Sequence, residues 1–170
     1  MANYTFEPWP STYLPKGEVA PTKLRSKFEG RTVGAMRAGI PPRTFEPPQV
    51  HIFAPRDGQP FEELLTDFDQ PFGVMYYDFE TGARHVQVYQ PGEDIVVPAF
   101  KVHWLVNGND TELAFTCEYA PHPWDGDKDE PEFRNLETLL AFVDERGLRQ
   151  ELLKANRDNS VHNLFKRINV

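Results

Sequence analysis

Apolar and polar residues alternate along several short segments between residues 31 and 120, and this alternation is typical of half-buried β-strands. Turn residues such as Thr81-Gly82 and Pro91-Gly92 separate the segments. Residues 61–68 alternate poorly, and the pattern there does not decide between strand and loop. We predict strands at residues 31–37, 49–53, 73–79, 84–90, 94–97, 101–106 and 112–119. Short strands at this spacing predict an all-β sandwich or barrel.

The two ends of the chain follow other patterns. Most of the sixteen prolines lie in the first sixty residues, so we predict that residues 1–30 form an extended arm rather than a helix. Such an arm, anchored by its aromatic residues, either packs on its own domain or crosses to a partner subunit. At the other end, apolar residues recur with helical spacing after an acidic loop, and Gly147 is a plausible end for the first helix. The residues on which these predictions depend are Phe6, Trp9 and Tyr13 in the arm, Leu136, Leu139, Leu140 and Val143 in the first helix, and Val161, Leu164, Phe165 and Ile168 after a cap at Ser160.

We therefore expect one domain in three parts: an N-terminal arm at 1–30, a β-barrel at 31–120, and an acidic loop with a helical appendage at 121–170. The apolar area that a free arm would expose predicts a homodimer.

Charge and composition narrow the classes of partner. The chain has 170 residues and a formal net charge of −8, and an acidic surface repels phosphate backbones, so we expect no nucleic-acid partner. The single cysteine, Cys117, excludes an intrachain disulfide and a thiolate zinc site. No stretch approaches the roughly 18 apolar residues of a membrane helix, and no secretory signal is visible. We therefore expect a cytoplasmic protein that has no membrane partner and binds a small-molecule substrate.

Residues 91–107, with the sequence PGEDIVVPAFKVHWLVN, carry a motif. Gly92, Pro98, His103 and Asn107 match four positions of the pattern G-x5-P-x-G-x2-H-x3-N, and Phe100 replaces its last glycine. This segment resembles the second signature motif of the cupin superfamily. The resemblance covers about residues 45–120 and implies a cupin-type double-stranded β-helix, which is a jelly-roll barrel. It also implies that the histidine of the motif points into a central cavity.

The first cupin motif, HxH followed by a glutamate, is not found, because residues 49–53 offer only His51. This departure argues against the usual metal site of the family, so the expected cofactor is none. The alternative is a divalent metal such as iron, manganese or zinc, held by His51, by Glu62 or Glu63, and by His103.

One branch of the cupins, the dTDP-sugar epimerases and ketoisomerases, works without metal. Resemblance to that branch implies that a histidine abstracts a proton next to a carbonyl and that a tyrosine returns it. The chain offers side chains for such a site, with Asp78 able to orient a histidine and Arg43 and Arg56 able to bind phosphate. The predicted catalytic residues are His103, His85, Tyr89 and Tyr76, and the predicted substrate-binding residues are Arg84, Lys101, Gln87 and His51.

Three functions are compatible with these residues. The first is a cofactor-independent isomerase or epimerase that acts next to a carbonyl, for example on a nucleotide sugar. The second is a metal-dependent cupin, either a dioxygenase or an isomerase. The third is a non-catalytic cupin that only binds a ligand.

Overall fold

The computed structural model describes residues 7–8, 14–20, 23, 33–51, 62–97, 101–120 and 133–158. Strands dominate this part of the chain, and two helices follow them. The strands are β1 (Glu7–Pro8), β2 (Leu14–Glu18), β3 (Gly34–Ile40), β4 (Thr44–Phe45), β5 (Glu62–Thr66), β6 (Phe72–Tyr77), β7 (Arg84–Tyr89), β8 (Ile95–Val97), β9 (His103–Asn107) and β10 (Leu113–Ala120). The helices are α1 (Leu136–Glu145) and α2 (Arg149–Asp158).

The strands form two five-stranded sheets. One sheet has the order β1-β4-β9-β6-β7, and the other has the order β2-β3-β10-β5-β8. Without the two arm strands, the eight strands β3 to β10 interleave as two Greek keys, which is the jelly-roll arrangement. The predicted all-β jelly roll is therefore confirmed by the strand order.

The two described strands of the arm belong to the sheets of their own chain. Strand β1 pairs in parallel with β4, and β2 pairs antiparallel with β3. The register of β2 shifts between Pro15 and Gly17, where the glycine has a φ of 120° that side chains rarely adopt. These segments of the arm are extended, as predicted. The proposed anchors Phe6, Trp9 and Tyr13 lie outside the described residues.

Several strands begin or end at other residues than the pattern predicts. The first predicted strand, 31–37, lies at Gly34–Ile40, because β10 pairs with it as far as Ile40 and Pro41 then ends it. The undecided segment 61–68 contains β5, which is paired on both sides by β10 and β8. Of the predicted strand 49–53, Gln49 forms only an isolated bridge to His103, and residues 52–53 lie outside the described part.

Side chains that alternate along β9 divide the core into two. Leu105 points between the sheets, where it joins a cluster that includes the fully buried Phe72 and Phe115. Trp104 points the other way and packs with Leu139 and other residues of the helices. The helices therefore cover the outer face of one sheet, and the interior between the sheets stays separate from them.

The helical tail follows the predicted pattern. Asn135 caps α1 by accepting a hydrogen bond from the backbone N–H of Thr138, and Gly147, with a φ of 65°, follows its last turn. Neither helix, nor any other in the described residues, is long and apolar enough to cross a membrane. The predicted third helix beyond Ser160 and residues 121–132 of the acidic loop lie outside the described residues.

Leu139 is fully buried, whereas Leu140 is only partly buried against the same cluster. Leu139→Ala should lower the free energy of unfolding by about 2–5 kcal/mol, because a large-to-small change leaves a cavity in a packed core. Leu140→Ala should cost less. Urea unfolding of both variants measures the difference, and an unchanged stability of Leu139→Ala would show that α1 is not docked on the sheet.

Candidate functional site

The segment after β4 carries polar side chains into the interior between the sheets. It continues the pairing with β9, since Glu46 donates its backbone N–H to the carbonyl of Leu105. Two backbone hydrogen bonds, of 2.9 and 3.0 Å, then join Gln49 to His103. Between these contacts the chain advances by three residues on this segment but by only two on β9. The extra residue forms a β-bulge at the two prolines 47–48. The bulge sets Glu46, Gln49 and His51 on the inner face of the sheet.

Three buried side chains meet in this interior and are called here the His–Glu–His cluster: His51, Glu63 and His103. One ligand atom from each lies within 4.8 Å of the other two. The two histidine ring centroids are 5.2 Å apart. The three residues come from the segment after β4, from β5 and from β9, so both sheets contribute to the cluster.

Hydrogen bonds orient each member of the cluster. The Nδ1 atom of His103 lies 2.8 Å from the carbonyl oxygen of Lys101. A carbonyl only accepts, so Nδ1 carries a proton and donates it to this carbonyl. The Nε2 atom of His51 lies 2.9 Å from one carboxylate oxygen of Glu63, and the thiol of Cys117 donates to the other at 3.1 Å.

A second carboxyl group, that of Glu46, lies close enough to interact with Glu63, but it is not among the residues whose ligand atoms lie within 4.8 Å of one another. Its side chain is fully buried, and burial together with repulsion by Glu63 raises its pKa well above the usual value. The amide of Gln49 donates to its Oε2 at 3.0 Å. Its Oε1 atom accepts no hydrogen bond from the described residues. Burial also raises the pKa of Tyr119, whose hydroxyl lies in the field of both carboxyl groups.

Tyr76 lies beside the cluster in the same sheet. It pairs with His103 on one side and with His85 on the other, so the three side chains share the inner face. The rings of Tyr76 and His85 are 5.7 Å apart, and the hydroxyls of Tyr76 and Tyr89 are 3.5 Å apart. The ammonium of Lys101 lies 4.6 Å from the centroid of the Tyr76 ring. Burial raises the pKa of Tyr76, so this phenol stays protonated at neutral pH.

A pocket of about 230 Å³ opens next to this group. It brings the side chains of His85 and Lys101 near the carboxylates of the turn that follows β6. The residues that line it are Tyr77, Asp78, Phe79, Glu80, His85, Lys101 and Leu153. Two of these residues, His85 and Lys101, also contact the ring of Tyr76.

Five of the predicted site residues share these surroundings: His51 and His103 in the cluster, with Tyr76, Tyr89 and Lys101 near it. His85 and Gln87 share their strand face but are exposed on β7.

Other predicted residues are not brought to the site. Arg84 lies on the outer face, where its guanidinium is 5.5 Å from the centroid of the Trp104 ring, because odd and even positions of β7 point to opposite faces. Arg43 pairs with Asp110 at the surface. Asp78 lies beyond the end of β6 and accepts hydrogen bonds from Glu80 and Thr81, the first of which is the main reason its pKa is lowered. Arg56 lies outside the described residues.

The residues that sequence reasoning missed are Glu46 and Tyr119. Period-two alternation could not place Glu46, because the bulge at prolines 47–48 breaks the period before the histidine. Tyr119 reaches the interior through its pairing with Glu63 across β10 and β5, a contact between residues far apart in the chain. Glu63 itself was one of two alternatives, and the strand pairing selects it because Glu63 faces inward with Tyr119.

The donor set of the cluster fits a divalent transition metal. Two imidazoles and one carboxylate form the common two-histidine, one-carboxylate set, and such ligands bind in their deprotonated form. The hydrogen bond from His103 to a backbone carbonyl is the type of outer contact that orients metal-binding histidines. Exposed acidic groups are common without a metal, but here all three donors are buried.

The chain resembles several solved structures. One is a cupin domain from Bordetella pertussis Tohama I, at 12% identity over 72% of this chain and 99% of that chain, with a TM-score of 0.43. Another is an uncharacterized conserved protein with a double-stranded β-helix domain from Klebsiella pneumoniae, at 16% identity over 66% and 77% of the two chains, with a TM-score of 0.44.

A third is Peruvianin-I, a cysteine peptidase from Thevetia peruviana latex, at 13% identity over 53% of this chain, with a TM-score of 0.42. The match spans about half of that protein, 51%. No protein-family model matches the sequence, and no curated protein matches it.

The order of strands in the two sheets identifies the fold as a cupin-type double-stranded β-helix. The predicted cupin-type jelly-roll fold is therefore confirmed by the strand order.

Glu46 should make stability depend on pH in the presence of a chelator. Its folded-state pKa lies above its ordinary value of 4.5, so its contribution is fully present below that value and is lost as the pH rises through the folded-state pKa. Glu46→Gln cannot ionise, so its unfolding free energy should fall less than that of the wild type over this rise. Denaturant unfolding at a series of pH values measures both slopes, and identical slopes would contradict the burial of an ionisable group.

Proposed function

We propose that this chain is a metal-dependent cupin that binds a small oxygen-bearing molecule beside a divalent cation. The single observation that carries the proposal is the His–Glu–His cluster, with three buried donors from three different chain segments within 4.8 Å of one another. The sequence alone favours a cofactor-independent isomerase and keeps a metal as the alternative. The positions of His51 and Glu63 favour that alternative.

The residues around the cluster support this role. A divalent cation held there supplies a Lewis acid that polarises a carbonyl or carboxylate oxygen. The phenol of Tyr76 stays protonated and can donate a hydrogen bond to a ligand on the inner face. Lys101 brings a positive charge to the pocket beside Tyr76, where it can contact an oxygen of the ligand, and Asp78 and Glu80 line the same pocket. We therefore propose a small carbonyl or carboxylate compound as the ligand.

A second candidate is the cofactor-independent isomerase or epimerase. The observation that favours it is the row of His103, Tyr76 and His85 across three adjacent strands on one inner face. A histidine base and a protonated tyrosine in such a row can exchange a proton with a carbon next to a carbonyl. The homodimer and the cytoplasmic location remain predictions of the sequence under either function.

The metal proposal predicts about one divalent ion per chain in protein purified without chelator. His103→Gln should lose this ion while it keeps a similar melting temperature, because glutamine has a polar amide of similar size but lacks the imidazole donor. His85→Gln is the matched control, since His85 lies on an exposed strand outside the cluster, and it should keep the ion. Elemental analysis of the three proteins measures the content.

Two results would contradict the metal proposal: no affinity of the wild type for any divalent transition metal, or equal metal content in His103→Gln and the wild type. A His103→Gln protein that unfolds would be replaced by His51→Gln, with the same expected loss.

Tyr76→Phe separates the two candidate functions. If the chain exchanges protons without a metal, the wild type should move deuterium from solvent into a carbonyl substrate in the presence of a chelator. Tyr76→Phe should then be about 10²–10⁴-fold slower, because it lacks the acid. Mass spectrometry of a panel of sugar and keto-acid substrates measures the exchange. Exchange that disappears on chelation would exclude the metal-free candidate.

A further inference from the structure

Glu46 is a buried residue near the His–Glu–His cluster whose carboxyl group the proposed function leaves unused. Its side chain is 0% exposed, and the backbone pairing of Glu46 with Leu105 sets it on the inner face. Gln49 holds one oxygen, Oε2, at 3.0 Å. The other oxygen, Oε1, lies inside the protein without a hydrogen bond from the described residues. A buried carboxyl oxygen of this kind costs free energy unless a partner satisfies it.

Charge balance indicates what kind of partner is missing. Glu46 and Glu63 are two buried carboxyl groups that repel each other. The interactions that act on Glu46 in the described part of the chain are burial, Glu63 and Gln49, and none comes from a lysine or arginine. With both carboxyl groups deprotonated, as a bound metal requires, and both imidazoles neutral, the set carries two negative charges. A divalent cation between them would neutralise the set, and a bound metal requires its ligands in these deprotonated forms.

We propose that the Glu46 side chain turns toward the cluster when a cation binds and becomes a fourth protein ligand, which binds the cation through Oε1 and completes a site of two histidines and two carboxylates. This inference rests on the proposed function, because it requires the His–Glu–His cluster to hold a metal. Gln49 is then a positioning residue, since its amide holds Oε2 and turns Oε1 away from itself. The cost of burying Glu46 is offset when the cation is bound.

The fourth ligand also has a consequence for metal preference. Anionic oxygen ligands suit hard cations such as Mn²⁺, whereas imidazole serves zinc, copper, iron and nickel alike. Glu46 should therefore raise the affinity for Mn²⁺ more than the affinity for Zn²⁺. A carboxyl group that only filled space near the cluster would change neither affinity.

The test is titration of the metal-stripped, full-length protein with Mn²⁺, in which the electron paramagnetic resonance signal of the free ion reports binding. Zn²⁺ is titrated in parallel by competition with a chelating dye. Glu46→Gln keeps the size of the side chain and the contact with Gln49, and it should weaken Mn²⁺ binding by about 10–100-fold, the range seen when groups around a metal site are removed. Zn²⁺ binding should weaken less.

Glu118→Gln is the matched control. Glu118 is also a buried carboxylate, but it pairs with Leu64 on the opposite face of its sheet and accepts the backbone N–H of Lys23. It should bind Mn²⁺ as the wild type does. If Glu46→Gln does not fold, Glu46→Ala with added formate replaces it, and formate should restore the Mn²⁺ affinity.

The outcomes separate the two proposals. A wild type that binds neither ion, or a His103→Gln variant that binds as the wild type does, would overturn the metal-dependent function. Loss of binding in His103→Gln together with unchanged binding in Glu46→Gln would overturn only the role of Glu46. Equal weakening for Mn²⁺ and Zn²⁺ would overturn the preference. Equal weakening in Glu118→Gln would also overturn the role of Glu46, because the effect would then be general to buried carboxylates.

Discussion

The exclusion of water from the interior between the two sheets is the constraint on which the site depends. A jelly roll of this size fills that space with side chains, and here large apolar groups such as Phe72 and Phe115 fill most of it. Polar groups in the remaining part are buried away from bulk solvent. Each of them must be oriented and satisfied by a protein neighbour or by a ligand. His51 and Cys117 satisfy the carboxylate of Glu63 in this way. The Oε1 atom of Glu46 accepts no hydrogen bond from the described residues, so the burial of this carboxyl group requires a further explanation.

The two faces of β9 have separate roles: one lies in the interior between the sheets, and the other packs against the helices. His103 and Leu105 point between the sheets, and Trp104 points to the helices. The helical tail therefore stabilises the sheet from behind while it leaves the inner face to polar chemistry. Leu153 of α2 lines the pocket, so the tail also contributes to the shape of the pocket.

Local sequence patterns predicted the elements that depend on neighbouring residues in the chain. Alternation and turns located most strands, and the spacing from Gly92 to Asn107 located His103 and its inward direction. The pattern failed where distant residues decide. Residues 61–68 become a strand because β10 and β8 flank them, and this pairing is also what aims Glu63 at His103. Glu46 was not predicted, because the bulge at the two prolines lies between it and His51. A bulge reverses the face that is expected when alternation is counted back from the histidine.

Asn107, at the far end of β9, links this strand to several others. Its Nδ2 atom lies 2.9 to 3.0 Å from the carbonyl oxygens of Ile40, Pro41 and Thr111, and its Oδ1 accepts from the backbone N–H and the amide of Asn109. One buried amide thus joins the end of β3, in one sheet, to the end of β9, in the other. A slip of β9 by a single residue would break all of these bonds together and would turn the imidazole four positions away toward the helices. The asparagine of the motif therefore fixes the register of β9, and this register determines the face of the sheet on which His103 lies.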